Sequence, residues 1–124
     1  MAYRSRLEER VAQWLQLNEH DFQYEPLKLS YTYEATYTPD FILPNGVMLE
    51  CKGWFKPTDR RKMLAVIKDN PEADIRMVFQ NPHNPISKGS KTTYAMWCDK
   101  HNIKWCHYTS IPIEWFDAQQ PREP

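Results

Sequence analysis

The sequence has few of the features that mark specialised classes of protein. Its 124 residues include three cysteines, an odd number without the spacing of a disulfide framework, and only three glycines. No apolar run approaches membrane-spanning length, and the first ten residues, MAYRSRLEER, lack the apolar stretch of a secretory signal. Internal repeats and low-complexity tracts are missing as well. Disulfide scaffolds, membrane spans and repeat arrays are therefore excluded, and we expect a protein of the cytoplasm.

A net charge is also lacking, because 16 Lys and Arg residues balance 16 Asp and Glu residues. Proteins that hold nucleic acid by general attraction to phosphate are usually basic overall. The charge is nevertheless uneven along the chain. Residues 52–68 carry six basic side chains and one acidic, and residues 86–104 carry four and one. These two basic segments keep nucleic acid among the candidate partners.

The hydrophobic content of the chain suffices for one folded domain. Hydrophobic residues make up 41% of the chain and aromatic residues 14%, which is enough for one modest core. We expect residues 1–118 to form a single domain and residues 119–124 to be a frayed tail. A domain this small is only marginally stable alone, and a dimer would bury more surface.

Hydrophobic periodicity predicts a helix followed by antiparallel strands in the first half of the chain. Ser5 and Glu8 fit a capping box at the start of an amphipathic helix over residues 5–18. Strand-forming residues run from 22 to 41, and a further strand, VMLECKG, follows the turn at Pro44-Asn45-Gly46.

The second half alternates helices with strands. Thr58 or Asp59 can cap a second helix, which stops at residues 70–71. The elements after it are a buried strand over 75–79, a polar loop over 81–91, a helix over 92–101, a strand IKWCHY and a helical turn at IPIEWF. This order predicts an α/β sandwich around a small mixed sheet.

The stretch TYTPDFILPNGVMLECKGW carries the most chemical information. On a strand, Glu50 and Lys52 project from the same face because side chains alternate. Whether Asp40 joins them depends on the turn. A two-residue loop would pair Asp40 with Cys51, on the wrong face, whereas a three-residue loop closed by a left-handed Gly46 would pair it with Glu50. Pro-Asn-Gly favours the three-residue loop.

Two carboxylates and an ammonium on one face suit phosphodiester hydrolysis. Asp40 and Glu50 can hold Mg²⁺, which keeps several waters and accepts a phosphate oxygen as a further ligand. Lys52 can orient the attacking water and offset the charge of the transition state. The alternative is that Asp40 ends a strand while Glu50 and Lys52 form an exposed pair. The apolar neighbours VML and WF favour a site, because charges in such a strand are poorly explained by solvent.

Over most of its length the chain resembles a known family. The polar skeleton is that of the PD-(D/E)XK nuclease superfamily. The wider resemblance is to the endonuclease I family of phage Holliday-junction (four-way junction) resolvases. The segments that carry it, in order from about residue 3 to residue 116, are YRSRLEERV, YTPDFILPNG, ECKG, DRRKMLAVIKDNPEADIRMVF, KGSKTTYAMWCDKHNIKW and IPIEWF.

This resemblance implies roles for individual residues. Asp40 and Glu50 correspond to the metal-binding carboxylates, Lys52 to the motif lysine, and the backbone carbonyl of Cys51 to a further metal ligand. Glu8 corresponds to an additional acidic residue from the first helix, a ligand for a second metal or a water-positioning group. Its alternative role is that of the capping-box acid. Mg²⁺ is the implied cofactor, with Mn²⁺ able to substitute, and no small-molecule cofactor is implied.

The resemblance also implies an assembly and a substrate. The fold would be restriction-endonuclease-like, in an intertwined, domain-swapped homodimer in which the first-helix glutamate reaches the partner's site. The substrate would be branched DNA, met in the host cytoplasm of a phage. The chain departs from the family in lacking a Lys-rich C-terminal tail and in a shorter, proline-free bridge over residues 30–36. The basic side chains expected to contact DNA phosphates are Arg4, Arg6, Lys56, Arg60, Arg61, Lys62, Lys88 and Lys91.

Other functions compete with this one. A superfamily nuclease could act on a transposon end or a mismatch, and a catalytically silent protein could bind junctions. An intact set of two acids and a lysine argues against a catalytically silent protein, since a protein that only binds DNA gains nothing from carboxylates that face phosphate. A zinc site built from Cys98, His101, Cys106 and His107 is disfavoured, because adjacent residues on a strand point to opposite faces. Cys98 is better explained as a core residue, and His101 as a cation at a helix end.

Overall fold

The computed structural model describes residues 2–31 and 35–117. The predicted tail over 119–124 and the domain boundary at 118 lie outside the described residues. The helices are α1 (Arg6–Leu17), α2 (Pro57–Asp69) and α3 (Tyr94–Lys100), and a 3-10 turn spans Ile113–Phe116. The strands are β1 (Gln23–Tyr24), β2 (Leu29–Tyr31), β3 (Ala35–Tyr37), β4 (Phe41–Ile42), β5 (Met48–Lys52), β6 (Ile75–Phe79) and β7 (Trp105–His107).

The sheet is mixed, as predicted from the order of elements. Five strands lie in the order β1-β4-β5-β6-β7, with β1, β4 and β5 antiparallel and β5, β6 and β7 parallel. One buried cluster joins Val11 of α1 to Leu49 of β5, and a second joins Val66 of α2 and Trp97 of α3 to Met77 of β6. Helices therefore cover both faces of the sheet. Among the described residues no helix is long and apolar enough to cross a membrane.

The first turns of α1 and α2 are capped in different ways. The predicted cap of α1 is confirmed: Ser5 Oγ accepts a hydrogen bond from the Glu8 N–H at 3.1 Å. The cap predicted for α2 at Thr58 or Asp59 is wrong, because the N-cap is Lys56 and the helix begins at Pro57. Proline suits the first position of a helix, where its missing N–H is not needed. Asp59 then occupies the third position, and its carboxylate accepts from the Lys56 N–H at 3.1 Å.

The turn between β4 and β5 has the predicted three-residue form. Leu43 N–H donates to the Val47 carbonyl at 2.8 Å, and Gly46, with φ +92°, closes the loop. Phe41 pairs with Leu49, so the same register places Asp40 across from Glu50. The side-chain amide of Asn45 also donates to the carbonyl oxygens of Trp115 at 2.8 Å and Asp117 at 2.7 Å. The loop is thereby attached to the C-terminal part of the described chain.

β2 and β3 form a separate two-stranded ribbon that lies against α2. Leu29 pairs with Tyr37 and Tyr31 with Ala35, so the two strands meet within one chain. The bridge predicted to cross between subunits spans residues 30–36, and its centre, residues 32–34, lies outside the described residues. Subunit exchange stays a prediction.

Candidate active site

Asp40, Glu50 and Lys52 come together at one end of the β4–β5 hairpin. Asp40 directly precedes β4, and its Oδ2 accepts a hydrogen bond from the Cys51 N–H at 2.8 Å. The carboxyl groups of Asp40 and Glu50 lie close enough for each to influence the pKa of the other. Lys52 Nζ lies 3.6 Å from Glu50 Oε2. The structure thus brings together the three residues that the sequence singled out, on the face that the register dictates.

The two carboxyl groups are in an environment that opposes their ionisation. Glu50 is only 6% exposed. Burial, followed by the charge of Glu50, raises the pKa of Asp40, although the Cys51 N–H partly offsets this. Burial also raises the pKa of Glu50, against the opposing effect of Lys52. For Lys52, burial alone would lower the pKa, but Glu50 and Asp59 raise it above its ordinary value. Lys52 is therefore held protonated beside two acids that repel each other when both are charged.

This pair of acids fits a hard divalent cation. Mg²⁺ is commonly bound through one or two carboxylates, with water and substrate phosphate completing the shell. The described residues contain no group of three or more His, Cys, Asp and Glu side chains placed to hold a metal. The side-chain ligand set would accordingly be Asp40 and Glu50. The Cys51 thiol is buried, and burial raises its pKa, so its side chain is a core group in this site.

Three further side chains belong to the site in roles that were not predicted. Tyr37 donates its hydroxyl to Glu50 Oε1 at 2.8 Å. Lys62, predicted only as a DNA contact, has its Nζ 5.6 Å from the centre of the Tyr37 ring and lowers the pKa of Glu50. Asp59 Oδ1 lies 3.5 Å from Lys52 Nζ. In the sequence, Tyr37 was one of several strand-forming residues, and the spacing of α2 residues from β5 gave no signal of contact.

Glu8 reaches the neighbourhood of the site from α1 of the same chain. It is buried, and its charge contributes to raising the pKa of Asp40. Its Oε2 accepts from Ser5 Oγ at 3.1 Å, and its Oε1 accepts from the Tyr24 hydroxyl. Glu8 thus belongs to the helix cap and also lies close to the acid pair. Its role toward a second metal stays a prediction.

The predicted DNA contacts fall into two groups. Arg4 forms an ion pair with Glu25 at 3.0 Å. Arg60 donates from Nη1 to the carbonyl oxygens of Phe55 at 2.8 Å and Ile86 at 3.2 Å. These two guanidinium groups are engaged by the fold itself. Arg4 is nevertheless exposed, as are Arg6, Lys56, Arg61, Lys88 and Lys91, and Lys62 is partly exposed.

The four residues weighed as a zinc site have other surroundings. Cys98 is buried in the second core cluster, and Cys106 in the first. The ring of His101 packs on Trp97, with centroids 4.6 Å apart. His107 Nδ1 lies 2.6 Å from Thr109 Oγ1. The core role predicted for Cys98 is confirmed.

The chain is similar to known proteins over most of its length. A family model described as "Phage endonuclease I" matches residues 1–124. Endonuclease I of Escherichia phage T7 is 41% identical over 126 residues, covering 99% of this chain and 84% of that protein. Endodeoxyribonuclease 1 of Enterobacteria phage T3 is 42% identical over 105 residues, covering 82% of this chain and 69% of that protein.

Proposed function

Because the chain belongs to the phage endonuclease I family, we propose that it is a Mg²⁺-dependent endodeoxyribonuclease that resolves four-way and branched DNA junctions. The observation that carries the proposal is the acid pair of half-buried Asp40 and buried Glu50, with the protonated Lys52 3.6 Å from Glu50. Such a pair is costly to bury unless a cation binds it. The names of the relatives supply DNA as the substrate.

Each of the three residues has a distinct part in hydrolysis. When bound, Mg²⁺ polarises the scissile phosphate and lowers the pKa of the attacking water. Asp40, fixed by the Cys51 N–H, and Glu50 supply the carboxylate oxygens that hold it. Lys52 Nζ, kept protonated by Glu50 and Asp59, contacts the phosphate and stabilises the charge that develops during attack. Lys52 therefore acts mainly in the transition state.

Resolution of a four-way junction requires two opposed cuts, so we propose a homodimer with two sites acting in the host cytoplasm. A closed dimer of identical chains is the simplest way to hold two such sites. If the chains exchange their first halves through the bridge predicted over residues 30–36, Glu8 of one chain takes the place beside Asp40 of the other. The contacts of Glu8 with Ser5 and Tyr24 would be unchanged, because all three residues precede the exchange point.

The proposal is tested with labelled DNA. Wild-type protein is incubated with a four-way junction, a mismatched duplex and a linear duplex of one arm, each with Mg²⁺ and with EDTA. We expect paired cuts in the junction with Mg²⁺, weak cutting of the duplexes and no cutting with EDTA. Asp40→Asn should be inactive, whereas Asp21→Asn, the same change at an exposed position outside the site, should retain activity. Preferential cutting of the mismatch, binding without cutting, or cutting in EDTA would each contradict the proposal.

A further inference from the structure

Tyr37 is the one tyrosine that places its hydroxyl directly on an acid of the Asp40–Glu50 pair in the described part of the chain. We propose that Tyr37 is a positioning residue that orients Glu50, so that Oε1 is held by the protein and Oε2 is presented to a divalent cation. The inference rests on the proposed function, since it assigns a role within the same metal site.

The two carboxylate oxygens of Glu50 have different roles because they contact different side chains. Oε1 accepts the Tyr37 hydroxyl at 2.8 Å, and Oε2 lies 3.6 Å from Lys52 Nζ. A carboxylate with free torsions could offer either oxygen, or both, to a cation. The hydrogen bond from Tyr37 removes that freedom and leaves Oε2 on the side of Lys52. Groups of this kind, hydrogen-bonded to a metal ligand, typically change metal affinity or activity by about 10–100-fold when removed.

The surroundings of Tyr37 keep it in place as a donor. Its side chain is 1% exposed and packs in the second core cluster, so its ring has little freedom to turn away. A tyrosine hydroxyl ordinarily has a pKa of about 10, so at neutral pH it is a neutral donor. Lys62 Nζ lies 5.6 Å from the ring centre on the α2 side. A rigid neutral donor adds no charge of its own to the site.

The position of Tyr37 in the chain connects this donor to Asp40. Tyr37 ends β3, and only two residues separate it from Asp40. The backbone that brings the donor to one acid therefore also delivers the other acid to the same end of the sheet. Tyr24 provides a parallel case, because its hydroxyl donates to Glu8 Oε1.

The test uses Tyr37→Phe, which keeps the ring and removes only the hydroxyl, beside Tyr94→Phe. Tyr94 is a matched control because it is also buried in the second core cluster. Mn²⁺ binding to the metal-free proteins is measured by titration calorimetry without DNA, and cleavage is then measured over a range of Mg²⁺ concentrations. We expect Tyr37→Phe to bind Mn²⁺ at least about 10-fold more weakly and to regain much of its cleavage rate at high Mg²⁺. Tyr94→Phe should match the wild type in both measurements.

The outcomes separate this inference from the proposed function. If wild type binds Mn²⁺ and cuts junctions while Tyr37→Phe has unchanged Mn²⁺ affinity, the role of Tyr37 is overturned and the function stands. If Tyr37→Phe fails to fold by circular dichroism while Tyr94→Phe folds, the hydroxyl is a structural requirement and the positioning role is likewise overturned. If wild type binds no Mn²⁺, both the inference and the metal-dependent function fall.

Discussion

The site has two parts, the residues of the β4–β5 hairpin and Glu8 of α1, and different interactions position them. Asp40, Glu50 and Lys52 belong to a single hairpin, so a three-residue loop and the alternation of a strand suffice to bring them together. Glu8 lies 32 residues before Asp40 in the chain and reaches the same region only because α1 packs on the sheet. The hairpin can thus be predicted from local turn chemistry, whereas the α1 contribution depends on tertiary structure and on which chain supplies the helix.

Removal of the hairpin acids should have the largest effect. Asp40→Asn or Glu50→Gln is expected to abolish cleavage while junction binding persists, because each removes a charge that holds the cation but leaves the basic surface intact. Lys52→Ala should lower the cleavage rate by about 100-fold or more with little change in affinity. Gel-shift and cleavage assays on the same preparations measure both. Equal loss of binding and cleavage in a folded variant would show that these residues are structural.

The α1 contribution can be tested by mixing two inactive homodimers. Glu8→Ala and Asp40→Asn proteins, unfolded and refolded together, should form mixed dimers. In an exchanged dimer one site then carries both lesions and the other carries neither, so we expect single-strand nicking of the junction to return. If each site is built from one chain, as in the contacts of the single chain described above, every mixed dimer has one lesion in each site. Inactivity despite demonstrated mixed dimers would therefore reject exchange without affecting the nuclease assignment.

The acids of the hairpin should also destabilise the metal-free protein. The folded-state pKa values of Asp40 and Glu50 are raised, so the folded protein binds more protons than the unfolded chain. Its stability therefore falls as pH rises from about 4, where unfolded carboxyls ionise, up through the folded-state values. Asp40→Asn removes one of these acids, and we expect its Tm in EDTA at pH 7 to exceed that of wild type. The difference should shrink near pH 4 or on adding Mg²⁺, and calorimetry at both pH values measures it.

The smallest expected effect concerns the loop that sets the register. Gly46 has φ +92°, a conformation that costs a residue with a side chain about 1–2 kcal/mol, although a Cβ there would meet nothing within 4 Å. Gly89, with φ +79° and equally open surroundings, is a matched control in another loop. We expect both Ala variants to lose similar stability, while Gly46→Ala alone slows cleavage in the fully folded protein. Equal cleavage rates would show that the loop does not control the acid geometry.

The difference between local contacts and contacts across the fold explains how much could be predicted from the sequence. The order of elements, the cap at Ser5 and the hairpin register all follow from signals within a few residues of one another. The predicted cap of α2 lies two or three residues after the observed one, because Pro57 occupies the first helical position and Lys56 is the N-cap. Tyr37 and Asp59 were missed because their contacts with Glu50 and Lys52 span separate elements, and neither residue type signals such a contact. Contacts between residues that are far apart in the chain produce no periodic pattern in a single sequence.

The link between Asn45 and the carbonyl oxygens of Trp115 and Asp117 has a consequence for synthesis on the ribosome. The groups that anchor the hairpin loop are synthesised about 70 residues after Asn45. The growing chain therefore contains the acid-bearing hairpin well before its loop can acquire this attachment. The two hydrogen bonds that fix the loop can form only once residues 115–117 have been made.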